Sequence, residues 1–166
     1  PNDAQATQAV LLLLDTYYIR DDLKGLVTEG NTLVSKIQFN PQTRAKVQEL
    51  VQQAQLKNVK SLAGDFGSKK YAADIIKFAK SNKNSTLGES ALFEAFTALK
   101  AQNDEKAFEV GEDYLASFPK SNKAKEILLT MTQMALISVD MRRAQRYLTA
   151  FAQKFPDDGQ SSGYLQ

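Results

Sequence analysis

Residues 91–119, ALFEAFTALKAQNDEKAFEVGEDYLASFP, and residues 128–156, LLTMTQMALISVDMRRAQRYLTAFAQKFP, carry the same punctuation 37 positions apart. Ala98-Leu99 falls on Ala135-Leu136, Ala107 on Ala144, Tyr114 on Phe151, and Phe118-Pro119 on Phe155-Pro156. A fixed period of roughly 20 to 50 residues marks stacked supersecondary units, each burying its apolar face against the next. Apolar residues recur at helical spacing, as in Leu92, Phe96 and Leu99, or Ile127, Met131, Met134 and Ile137, and no segment alternates as a strand does. The expected fold is therefore all-α: an α-solenoid of four stacked antiparallel helix pairs and the start of a fifth.

Local signals place the helix ends. Asn40-Pro41 supplies an N-cap and a first-turn proline, Thr86 with Glu89 three residues later reads as a capping box, and Ser121 restarts the chain after Phe118-Pro119. These predict helices over 3–19, 21–37, 41–63, 68–82, 86–102, 104–117, 121–138 and 140–154. Asp21, Asp104 and Asp140 stand near the starts of second helices, where a carboxylate caps and offsets the helix dipole.

The repeat extends backwards. A shift of 82 lays Asp21-Asp22-Leu23-Lys24-Gly25 on Asn103-Asp104-Glu105-Lys106-Ala107 and Leu33 on Leu115, so Gly25, Ala107 and Ala144 share one small-residue position. There the second helix of a pair can approach the first closely. The match around Tyr71-Ala72-Ala73 is looser, and the long helix over 41–63 holds the extra residues of an expanded second unit. The units read as 4–37, 41–82, 86–117 and 121–154 of a single repeat domain over 1–166. Residues 158–166 open a further unit, so the chain reads as a piece of a longer array, with an N-terminus lacking an initiator Met.

Composition limits the chemistry. The 166 residues are 43% apolar and 24% charged, enough for a sizeable core. Cys and His are both absent, which removes thiol nucleophiles, disulfides, imidazole bases and the usual zinc ligands. Val10–Leu14 is far too short to span a bilayer. Paired carboxylates such as Asp21-Asp22, Glu112-Asp113 and Asp157-Asp158 point about 100° apart on a helix and do not converge on one site. No phosphate loop, nucleophile elbow or metal-ligand spacing occurs, so the expectation is a protein that is not an enzyme and binds no cofactor.

Charge alternates in blocks. Residues 1–35 hold two basic and five acidic side chains, residues 36–83 ten and three, and residues 84–118 two and seven. Lys57, Lys60, Lys69, Lys70, Lys77, Lys80 and Lys83 form a candidate basic surface for acidic partners, an anionic polymer or a membrane surface. A solvated face balanced by neighbouring repeats is the plainer alternative. Lys outnumbers Arg and few aromatics are interleaved, which argues against nucleic acid. Stacking of second helices predicts surface ion pairs of Glu105 with Arg142 and of Glu109 with Arg146.

The small residue of the first helix (Ala95), the small residue early in the second (Ala107, Ala144), the aromatic seven on (Tyr114, Phe151) and the proline twelve on (Pro119, Pro156) resemble the tetratricopeptide repeat family. The endings Ser117-Phe118-Pro119-Lys120-Ser121 and Lys154-Phe155-Pro156-Asp157-Asp158 are similar to those of its bacterial cell-envelope scaffold proteins. The resemblance covers 86–156 and, less closely, 4–37. It implies a non-catalytic scaffold in a bacterial multiprotein complex, in the periplasm or at the envelope, with the cytoplasm as the other compartment. It also implies that partner peptides or helices lie in a groove lined by first helices, which by register are Tyr17 or Tyr18, Phe96 and Lys100, Gln133 and Ile137. The rival expectations are self-assembly through open repeat ends, giving a homo-oligomer, and binding of an anionic polymer or membrane through 36–83.

Overall fold

The computed structural model describes residues 4–66 and 68–157 and is all-helical. Its helices are α1 (Ala4–Ile19), α2 (Leu23–Lys36), α3 (Pro41–Ala63), α4 (Lys69–Ser81), α5 (Thr86–Ala101), α6 (Lys106–Ser117), α7 (Ala124–Ile137) and α8 (Met141–Lys154). Within the first unit of the chain α1 packs on α2, α2 on α3 and α3 on α4, and within the second α6 packs on α7 and α7 on α8, consistent with a helical-repeat solenoid. The predicted fifth unit over 158–166 lies outside the described residues. No described helix is long and apolar enough to cross a membrane.

One turn recurs inside three of the pairs. Asp21, Asn103 and Val139 take up the left-handed conformation, with φ of 55°, 53° and 59°. The next residue's N–H reaches back to close the preceding helix: Asp22 to the Tyr17 carbonyl at 3.0 Å, Asp104 to Leu99 at 3.1 Å and Asp140 to Ala135 at 2.8 Å. This is the Schellman closure. The same aspartate then caps the second helix, accepting from the N–H of Gly25 (2.8 Å), Lys106 (2.9 Å) and Arg143 (2.9 Å) respectively. The expected cap at Asp21 is thus corrected to Asp22. Asp21 occupies the left-handed position, and its carboxylate instead accepts from Lys57 Nζ at 2.8 Å. The α3–α4 connection departs from the pattern, with Gly64 at φ 83° and Ser68 capping α4 through the Tyr71 N–H, in the unit that the sequence marks as expanded.

The 37-residue echo is also a repeat of geometry. Phe118 and Phe155 end α6 and α8 with the same backbone, φ −128° with ψ 61° and 60°. Their N–H groups donate to Tyr114 and Phe151, and the paired rings lie 5.2 and 5.3 Å apart. At the start of α5 the expected capping box is replaced. Ser85 Oγ accepts from the Gly88 N–H at 3.0 Å, which frees the Glu89 carboxylate to turn elsewhere.

The chain divides into two compact units between Gly88 and Glu89. In the first, Leu14, Leu23, Leu26, Val47, Val51 and Ala54 form the core, with Tyr17, Leu33 and Val34 packed against it. Gly30 permits the close approach of α2 to α3, since a Cβ there would overlap the Val51 side chain. In the second, Tyr114, Ile127, Leu128, Met131 and Phe151 are fully enclosed, and Phe108 stacks on Tyr147 at 5.9 Å and 9°. Each such large apolar side chain contributes about 1.5–3 kcal/mol by leaving water.

Candidate functional site

In the first unit α2 and α4 both pack on α3 and leave a trough of about 630 Å³ between them. Two polar contacts fix α2 and α3 as antiparallel: Lys57 on Asp21 at one end, and Arg44 Nη2 on the Val34 carbonyl (3.3 Å) at the other. Lys24, Val27 and Thr28 supply one wall, Asp74, Lys77, Phe78 and Ser81 the other, and Gln55, Asn58, Val59 and Leu62 the floor. The spacing on every wall is i, i+3, i+4, so each helix turns one stripe toward the trough. A smaller recess of about 240 Å³ adds Asn31, Val34, Gln48 and Gln52 and shares Gln55 and Asn82, which continues the trough along α2 and α3.

The trough mixes apolar surface from Val27, Val59, Leu62 and Phe78 with the amides of Gln55 and Asn58, and each wall carries one lysine. The Asp74 carboxylate is matched by Lys70 at 3.0 Å, and Lys70 also donates to the Leu62 carbonyl at 2.7 Å. Lys24 and Lys77, on opposite walls, have no anionic partner among the described residues.

The seven sequence-predicted lysines are all exposed, and two of them are held by carboxylates. Lys57 is committed to Asp21 and lies over the Tyr18 ring at 4.9 Å; that hydrogen bond is the main cause raising its pKa above the ordinary lysine value. Lys70 is committed to Asp74. Of the seven, Lys77 alone lines the trough, while Lys24, which sequence reading placed in an acidic block, joins it there.

The expected first-helix groove residues separate. Tyr17 is half-buried against the first core, and Tyr18 is 48% exposed. Lys100 and Gln133 are exposed, and Ile137, at the tip of α7, is 83% exposed. Phe96 is corrected: at 2% exposed, with Cε2 3.1 Å from where a Cβ on Gly111 would stand, it is a core residue and offers no surface to a partner. The expected ion pairs are also re-registered. Glu105 meets Arg143 at 3.8 Å rather than Arg142, and Arg146 meets Glu112 rather than Glu109. Glu112 additionally accepts from Tyr147 Oη at 2.7 Å.

A second polar cluster of the second unit joins α5, α6 and the α6–α7 turn. The Glu89 carboxylate accepts from Ser121 Oγ (2.6 Å) and Tyr114 Oη (2.7 Å), and the two hydroxyls lie 2.7 Å apart. The hydrogen bonds from Ser121, then Tyr114, hold the Glu89 pKa below the ordinary carboxylate value. Burial, reinforced by Glu89, pushes the Tyr114 phenol up to about 12. An acid held ionised and a phenol held protonated near neutral pH form a brace between α5, α6 and the α6–α7 turn; neither is tuned for proton transfer there. Comparison with protein-family models, with curated proteins and with solved structures returned no match.

Proposed function

We propose that this chain is a non-catalytic protein-interaction scaffold, similar to tetratricopeptide repeat proteins, that serves a bacterial multiprotein complex at the cell envelope. The observation that carries this reading is the trough between α2 and α4: an open, partly apolar channel walled by stripes of side chains at helical spacing. Such a channel suits a partner segment laid lengthwise, the helix-in-groove mode of recognition. The sequence resemblance suggests a groove lined by first helices. The proposed seat uses one first helix, α3, as its floor and two second helices, α2 and α4, as its walls.

A displayed library of randomised peptides of about 12 residues, roughly 18 Å as helix, tests this when selected on the intact chain. Selected peptides are expected to lose binding to a Val59→Glu variant that keeps its helical circular dichroism. Peptides that bind this variant as well as the parent would place the seat elsewhere.

Self-association is the second reading. It is favoured by Leu12, Leu13, Tyr18 and Ile19, large apolar side chains exposed along α1. Sedimentation at several concentrations separates the two, since strictly monomeric behaviour removes self-association.

A further inference from the structure

We infer that the trough of the first unit selects an acidic amphipathic segment: a helix of about three turns, apolar along one stripe and carrying carboxylates on both flanks. The inference rests on the scaffold reading and concerns what the trough selects.

Length comes first. The α2 wall runs from Lys24 to Val34, which at 1.5 Å per residue is about 15 Å, or roughly three turns of an occupant helix. An extended peptide has less to gain here, because the trough offers helix faces and no free strand edge for main-chain pairing.

Polarity comes next. Val27 and Phe78 on the walls and Val59 and Leu62 on the floor give the channel an apolar strip beside Gln55 and Asn58. Leu62 is itself 59% exposed, so it has surface left to cover. An occupant's apolar stripe removes that surface from water.

Charge decides the class. The single acid of the trough, Asp74, is already matched by Lys70. Lys24 and Lys77 remain as unmatched ammonium groups, one on each wall. A basic occupant would face both without compensation, and a neutral one would leave both unused. An acidic segment places a carboxylate against each wall, and the first unit's surplus of twelve basic over eight acidic residues in 1–88 attracts it from a distance. The apolar strip distinguishes this seat from one that reads charge alone, such as a surface for anionic lipid or polymer.

The same peptide selection tests the inference through the composition of its winners. The enriched sequences are expected to carry Asp or Glu on both sides of an apolar i, i+3, i+4, i+7 stripe. Their affinity is expected to fall about tenfold or more for the double variant Lys24→Glu, Lys77→Glu, and to weaken as salt is raised. Winners without acidic enrichment that still depend on Val59 would overturn the charge inference and leave the trough standing. Winners indifferent to Val59→Glu would overturn both. Vesicles of phosphatidylcholine and phosphatidylglycerol serve as the other probe. If they bind the parent chain, lose binding to the double variant and are unaffected by Val59→Glu, the site reads charge alone and the inference fails.

Discussion

Removing the Tyr114 hydroxyl is the sharpest test of how the second unit is held. Tyr114→Phe keeps the ring, which is fully buried and packs against Phe93 at 6.2 Å and Phe118 at 5.2 Å. It deletes the 2.7 Å hydrogen bond to the Glu89 carboxylate and the contact with Ser121. A hydrogen bond to a charged group contributes about 1.5–3 kcal/mol. Glu89 keeps its 2.6 Å bond from Ser121 and is partly open to water, so the lower part of that range applies. The expected loss is about 1.5–2 kcal/mol in urea unfolding, or roughly 3–8 °C in Tm for a chain of this size. The pH dependence has a definite sign. The Glu89 pKa is lowered in the folded state, so its stabilisation is present above the unfolded carboxylate value of about 4.3 and is lost as pH falls through the lowered folded value. The gap between parent and variant should therefore narrow below about pH 4. A loss under about 0.5 kcal/mol at neutral pH, or a gap that does not change with acid, would refute the brace.

Three further outcomes follow from single positions. Val139 is a β-branched residue at φ 59° and is 74% exposed, so Val139→Gly should relieve strain and raise stability by about 1 kcal/mol in chemical unfolding; a loss would contradict the strained turn. A Cβ at Gly88 would overlap the Asn82 carbonyl, which is backbone and cannot swing aside, so Gly88→Ala should cost about 2–3 kcal/mol by the same measurement. Phe96→Ala should cost about 3–5 kcal/mol as a core deletion, whereas Ile137→Ala should change stability by less than about 0.5 kcal/mol; the reverse order would return Phe96 to the surface.

Much of the helical layout is legible in the sequence because its signals are local. Asn40-Pro41 and the Phe118-Pro119 and Phe155-Pro156 stops mark ends whose physics lies within a few residues. The shift of 82 also lays Asp21 on Asn103, two residues that share the left-handed turn. What resists reading is anything decided by an approach between helices. Ser85 takes the cap expected of Thr86, while the Glu89 carboxylate binds Tyr114 and Ser121, residues 25 and 32 positions on. Phe96 shares its periodicity with any groove residue, and its enclosure, with Gly111 close by, is set by helix packing. The trough is hidden for the same reason. Lys24 belongs by sequence to an acidic block, and only the packing of α2 and α4 on α3 sets it on the same trough as Lys77. Block charge counts therefore point to a broad basic face, whereas the structure sets Lys57 and Lys70 against carboxylates and leaves a narrower pair on the trough walls.

The most direct measurement is amide chemical-shift mapping of the intact chain with an acidic amphipathic peptide taken from the selection. The largest shifts are expected along the trough-lining stripes of α2, α3 and α4, within residues 24–34, 48–62 and 74–82. Shifts confined to the exposed face of α1 or to the α7–α8 turn, with these three stripes unmoved, would contradict the trough as the partner's seat.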